Sequence, residues 1–120
     1  MAKVLGVGGV FFKAADPKGL AAWYGRVLGI EAAEWGAMFP WPDRGVQTWA
    51  PFKADTDYFK PSTAPFMLNF VVDDLDGVLA RAAAEGVQPL GREDSDPNGK
   101  FAWLLDPEGL KIELWQPAPE

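Results

Sequence analysis

The spacing of apolar and polar residues along this chain changes period several times, and the changes fall in an order that occurs twice. Val4–Phe12 is rich in Val and Phe and has the pattern of a strand. Asp16-Pro17 follows, a good N-cap ahead of a proline suited to the first helical position. Leu20, Trp23, Tyr24, Val27 and Leu28 then recur at steps of three and four, which is one apolar helix face. Gly29 ends that helix as a C-terminal glycine. The short apolar pieces Ile30–Trp35, Ala37–Trp41 and Val46–Pro51, separated by Gly36 and Pro42-Asp43-Arg44-Gly45, predict a three-stranded meander.

The second half runs through the same order. Phe66–Val72 is a strand, and Asp73 or Asp74 caps a helix carrying Leu75, Val78, Leu79 and Ala82 that ends at Gly86. Val87–Arg92, Phe101–Leu105 and Leu110–Trp115 supply three more strands. Asp96-Pro97-Asn98-Gly99 and Asp106-Pro107-Glu108-Gly109 have strong turn chemistry. The caps Asp16 and Asp74 lie 58 apart and the glycines Gly29 and Gly86 lie 57 apart, a fixed internal period.

The fold class is therefore α+β, as two tandem β-α-β-β-β modules. Module 1 covers about residues 3–52, a polar linker 53–64, and module 2 about 65–117, within a single domain 1–120. One module cannot bury both faces of its sheet. Two side by side predict a curved eight-stranded mixed sheet with helices outside and a concave cleft inside, where a small molecule would sit. A filled sandwich without a cleft is the competing expectation.

Composition narrows the function. At 120 residues, 48% hydrophobic and 23% charged, the chain has the balance of one globular domain with a real core. A net charge of −6 argues against nucleic acid as a partner, because few cations are available to displace phosphate counterions. No apolar run approaches the roughly 20 residues of a membrane span. Residues 1–12 carry a single Lys and no cleavage pattern, so no signal peptide is expected and the location is expected to be cytoplasmic. With no Cys and no His, disulfides, thiolate ligands, cysteine nucleophiles and an imidazole base are all excluded. Six Trp, eight Phe and two Tyr are many rings for so short a chain. They form either an aromatic core or the lining of a ligand cleft.

The paired modules resemble the vicinal oxygen chelate superfamily, which includes glyoxalase I, bleomycin- and fosfomycin-resistance proteins and extradiol dioxygenases. Nearly the whole chain carries the resemblance. It rests on Gly8-Gly9-Val10-Phe11-Phe12 before Asp16-Pro17, on Leu20–Tyr24 with Val27-Leu28-Gly29-Ile30, and on Phe70–Asp76. The closing Asp106-Pro107-Glu108-Gly109-Leu110-Lys111-Ile112-Glu113-Leu114-Trp115 is the most specific part. Carried over position by position, the family's metal ligands fall on Gly9, Trp49, Met67 and Glu113. Gly and Trp offer no ligand atom and a thioether suits only soft ions, so no metal and no cofactor are expected.

Alternation points Glu113, between Ile112 and Leu114, into the cleft. It is the candidate catalytic residue, as a general base, or alternatively an anchor for a cationic ligand; a carboxylate satisfied by Lys111, Gln47 or a neighbouring strand is the plainer reading. Phe11, Trp49, Met67, Asn69, Trp103 and Trp115 are the candidate ligand-binding residues, with the phase of Trp103 and Trp115 open. Trp49 would supply a stacking face and Glu113 a polar anchor, both lining space rather than filling the core. Packing of Phe11 and Trp115 across an interface is the alternative for those two.

Gly6-Val7-Gly8-Gly9 lacks the strand-turn-helix setting of a phosphate loop, and Asp73-Asp74-Asp76 is explained by a helix N-terminus. Two functions follow. The first is a metal-independent protein that binds a small aromatic or hydrophobic molecule. The second is a metal-independent lyase or isomerase using Glu113, with Asn69 or Lys13, for proton transfer. The resemblance implies a homodimer.

Overall fold

The computed structural model describes residues 2–33 and 35–119. Both helices form where their caps direct. Helix α1 spans Pro17–Leu28; the Asp16 carboxylate accepts the Gly19 N–H at 3.1 Å, and Gly29 closes the helix at φ 71°. Helix α2 spans Leu75–Ala84, with Asp74 accepting the Gly77 N–H at 3.1 Å. Asp76, in its first turn, pairs with Arg92 at 2.8 Å, so the acidic cluster is used by capping and a surface ion pair.

The four strands are β1 (Leu68–Val71), β2 (Gly91–Asp96), β3 (Gly99–Leu105) and β4 (Lys111–Pro117), in the order β1-β4-β3-β2. β1 runs parallel to β4; β2–β3 and β3–β4 are antiparallel, and Asp96 pairs with Gly99 across Pro97-Asn98. Gly99 is required there: at φ 135°, an added Cβ would lie 2.1 Å from the Gln116 carbonyl oxygen.

Strict alternation divides the sheet. Ala102, Leu104, Ile112 and Leu114 face the helices and are buried with Leu20, Tyr24 and Val27 of α1 and Leu75 and Ala82 of α2. Each fully buried Leu or Ile there stabilises by about 1.5–3 kcal/mol over exposure. Leu68, Phe70 and Val72 pack on the same core, as their phase predicts.

The Asp106-Pro107-Glu108-Gly109 turn ties the two halves together. Asp106 is buried; its Oδ1 accepts the N–H groups of Glu108 and Leu110 at 2.9 and 3.0 Å. Its Oδ2 accepts the Tyr24 hydroxyl of α1 at 2.7 Å. The Glu108 carboxylate accepts the N–H groups of Ala15 and Asp16 at 2.6 and 2.8 Å, just ahead of α1.

Two expectations differ from the structure. The second-half strand expected over Val87–Arg92 begins instead at Gly91, because Val87 is held to Ala82 at the end of α2 and packs on the core. The observed strand, Gly-Arg-Glu-Asp-Ser-Asp, is a polar edge without apolar alternation. The second difference is larger. The expected module-1 strands, Val4–Phe12, Ile30–Trp35, Ala37–Trp41 and Val46–Pro51, form no strand among the described residues; Glu34 lies outside them. Only the Ala33–Gly36 bridge occurs there, so the sheet has four strands. Gly6, Gly8, Gly9, Pro40, Pro42, Gly45 and Pro51 weaken or interrupt these segments, leaving their pairing dependent on a partner strand.

The outer edge of β1 pairs with no strand among the described residues. An open recess of about 770 Å³ lies at the end of β1, lined in part by Ile30, Phe39, Phe70, Val72, Val78 and Leu114.

Candidate functional site

The face of the sheet turned away from the helices is a lattice read directly from the register. One row across the strands is Asn69, Glu113, Trp103 and Gly91; the next is Val71, Trp115, Phe101 and Glu93; Lys111 stands opposite Leu105 on the other side. Phe101 lies nearly parallel to both indoles: 13° to Trp103 at 6.4 Å between ring centroids, and 6° to Trp115 at 6.1 Å. The three half-buried rings form an L-shaped set with parallel planes, Phe101 across from Trp115 and along β3 from Trp103, and this set is the aromatic floor of the face. Both indole N–H groups already have acceptors. Trp103 donates to Glu113 Oε2 at 2.8 Å and Trp115 to the Asn98 carbonyl at 2.9 Å, which leaves the ring faces without a polar demand of their own.

Glu113 is only 8% exposed and is held from three sides. The Asn69 amide donates to Oε1 at 2.6 Å, while Trp103 and the Tyr58 hydroxyl both donate to Oε2. This arrangement lets a carboxylate stand among rings without an adjacent cation bonded to it. Burial first, and then the bond to Glu113, push the Tyr58 phenol above its ordinary range, so its hydroxyl remains the donor.

Tyr58 belongs to the 53–64 connector, and it is fastened over one end of the floor. Its ring stands at 88° to Trp103 with centroids 6.3 Å apart, and stacks at 27° on Phe52. Lys111 reaches over it, with Nζ 5.0 Å from the Tyr58 ring centroid and 5.8 Å from that of Trp103, and donates to the Tyr58 carbonyl at 2.6 Å. At the opposite end, Gly45 comes down on the floor. A Cβ there would lie 3.3 Å from Trp115, Pro117 and Val71, and its φ is 86°.

The structure brings together Glu113, Asn69, Trp103 and Trp115 of the sequence-derived set, and it settles the phase of both Trp residues onto this face. Met67 lies half-buried, just ahead of β1. Phe11 and Trp49 are not brought there. Phe11 is 96% exposed and Trp49 is 81% exposed, beside a shallow recess with Val4–Val7 and Gln47. Their position follows from the missing module-1 strands, which alone could carry them to the sheet. Lys13 is also exposed, and Gln47 accepts the Val7 N–H at 2.7 Å rather than meeting Glu113.

Three residues of the site escaped the sequence reading: Phe101, Lys111 as a clamp, and Tyr58. Phe101 was legible from its two-residue offset to Trp103. For Tyr58 the signal was weak, a ring in an otherwise polar connector.

The four positions that the resemblance assigns to a metal do not fit one. Gly9 and Trp49 supply no ligand atom and sit on exposed, unpaired chain, and Met67 offers only a thioether. Glu113 is the one hard donor, and its oxygens are taken by three neutral donors. Among the described residues, no group of three or more His, Cys, Asp or Glu is placed to hold a cation.

Comparison with known proteins bears on the family and the fold. The chain is 42% identical over 52 residues to "Putative glyoxylase CFP32" of Mycobacterium bovis, and equally to that of Mycobacterium tuberculosis. The match takes in 42% of this chain but only 20% of those relatives, so the chain accounts for a fraction of their length. The crystal structure of TioX from Micromonospora sp. ML1 shares the fold, with a TM-score of 0.53 at 19% identity over 89% of this chain and 92% of that one. A family model described as "Glyoxalase-like domain" matches residues 9–115. The chain thus belongs to the glyoxalase-like domain family, within the vicinal oxygen chelate superfamily.

Proposed function

We propose that this protein binds a small planar aromatic molecule on the Trp115–Phe101–Trp103 floor, without a metal. The observation that carries this reading is the floor itself: two indoles within 13° of the Phe101 plane on the sheet face turned away from the helices, with both indole N–H groups already bonded elsewhere. A set of parallel rings whose polar atoms are already satisfied favours an aromatic ligand over one that needs many hydrogen bonds. Glu113 organises the site. Its three bonds fix the carboxylate between Asn69, Trp103 and Tyr58, which supports an organising role over that of the base in a lyase or isomerase.

The assembled molecule, in this reading, completes the eight-stranded sheet. The unpaired edge of β1 can receive Val4–Phe12, from the same chain or from a second copy in a homodimer. The exposure of Val4 (90%), Leu5 (88%) and Phe11 (96%) supports a partner surface for that segment. Among the described residues no helix is long and apolar enough to cross a membrane, and we place the protein in the cytoplasm, which its cysteine-free sequence suits.

The test is calorimetric titration with quinoline, a neutral fused bicycle. Binding is expected, and Phe101→Ala should weaken it about tenfold, the usual effect of deleting a stacked ring from a binding site. Binding unchanged by that substitution, or absent in the parent protein, would remove the floor as the ligand site.

A further inference from the structure

We propose that the recess at the end of β1 is a second ligand site, which takes a compact apolar amine in its protonated form. The recess opens where α1, β1 and α2 converge, and it is a window onto the core. Leu28 and Ile30 at the end of α1, Phe70 and Val72 at the end of β1, and Val78 of α2 line it; all five pack on the buried cluster while keeping part of their surface uncovered. Phe39 forms one side, 63% exposed, with its ring centroid 6.3 Å from that of Phe70. Phe70, Val72 and Leu114 are in the helix-facing phase of the sheet, so this apolar base is separate from the Trp115–Phe101–Trp103 set.

The volume of about 770 Å³ falls in the range of small-molecule sites, roughly 300–1,000 Å³. An apolar body seated there covers core side chains that water otherwise touches, which is favourable in proportion to the area covered. The base is mostly aliphatic and asks for bulk rather than for a π-face.

Charge selects the head group. Glu31, Asp43 and Asp73 also line the recess and are exposed, which puts them at its mouth. None of these three carboxylates has an ion-pair partner among the described residues. Two cations are close, and both are engaged. Arg44 lines the same mouth and donates to the Ala118 carbonyl. The Arg81 guanidinium lies against Gly29 at the carboxyl end of α1, where the helix dipole favours a cation. The mouth is thus acidic around an apolar base, in a chain of net charge −6. That pairing attracts an ammonium and repels a carboxylate.

The experiment is calorimetry at neutral pH and low ionic strength with adamantylamine, adamantanol and adamantanecarboxylate, which share one cage and differ in the head group. None has a π-face, so none reports on the aromatic floor. The amine is expected to bind, and the carboxylate about tenfold more weakly. Asp43→Asn combined with Asp73→Asn, both at exposed positions, should weaken the amine about fivefold and change the alcohol less than about twofold, a difference that added salt should erase. Ala37→Trp puts a ring into the recess and should weaken amine and alcohol alike. Phe101→Ala, on the other face of the sheet, should change the amine less than about twofold. The assignment is overturned by absence of amine binding, by equal affinity for amine and carboxylate, by an amine indifferent to the two Asn substitutions, or by its loss in Phe101→Ala. The exposed Asn pair carries the test should Ala37→Trp not fold.

Discussion

Replacing Asp106 with Ala tests whether one turn fastens the two halves of the molecule. The side chain accepts three hydrogen bonds: from the Tyr24 hydroxyl at 2.7 Å, and from the Glu108 and Leu110 N–H groups at 2.9 and 3.0 Å. Glu108 is exposed and its N–H can turn to water. Tyr24 and Leu110 are 7% and 6% exposed, so the hydroxyl and the Leu110 N–H would be stranded. A buried donor left without its acceptor costs about 1–3 kcal/mol, which puts Asp106→Ala at roughly 3 kcal/mol or more. Against a total stability of about 5–15 kcal/mol, that is a large share. Asp106→Asn keeps one acceptor oxygen for the turn and lets the Tyr24 hydroxyl accept instead, so it should cost about 1 kcal/mol. Tyr24→Phe should cost roughly 1.5 kcal/mol, and combined with Asp106→Ala less than the two separately, because they share a bond. Equilibrium urea unfolding followed by tryptophan fluorescence measures all four proteins. A loss below about 0.5 kcal/mol for Asp106→Ala, or equal losses for the Ala and Asn variants, would refute the argument.

The other predictions concern the site and its assembly. Glu113→Ala removes the acceptor of the half-buried Trp103 indole N–H and of the Asn69 and Tyr58 donors; it should lower stability by about 1–3 kcal/mol, which thermal melting reads. The sequence reading expects no such effect, since it takes Glu113 to line space rather than join a cluster. Both Tyr24 and Tyr58 have phenols raised above the ordinary 10.0, so the unfolded chain loses those protons first. Their contribution is whole below about pH 10 and declines as pH rises beyond it, with a slope of at most about 1.4 kcal/mol per pH unit for the buried Tyr24. A urea midpoint constant from pH 9 to pH 11 would contradict this. Light scattering at micromolar concentration should give the mass of a dimer, and a monomer mass would exclude the homodimer.

Much of the second half was legible because its signals are local. Asp74 and Gly86 bracket α2 within a few residues, and the Ile112-Glu113-Leu114 alternation fixes which side chain leaves the core. The first-half helix was legible for the same reason, through Asp16 and Gly29. Its strands were not, because their pairing is non-local and their glycines and prolines leave the register to a partner. Tyr58 was hidden by distance. It lies 55 residues from Glu113, and no periodicity links a connector to the strand it covers. Trp49 shows the converse error: its register to Glu113 by sequence analogy presumed a strand that the described chain does not form.

The two margins of the sheet are chemically unlike, and the difference limits how far any assembly can grow. β2 carries Arg92, Glu93, Asp94 and Ser95 along its side of the sheet, where an incoming strand would meet charge and an ion pair already formed. β1 presents Leu68, Asn69, Phe70 and Val71. Growth is thus open in one direction only. In the homodimer proposed above, each β1 margin is consumed by the Val4–Phe12 segment it receives, and only the charged margins remain outward. Such an association would be self-terminating: it would stop at a closed pair and give a filament no end from which to elongate.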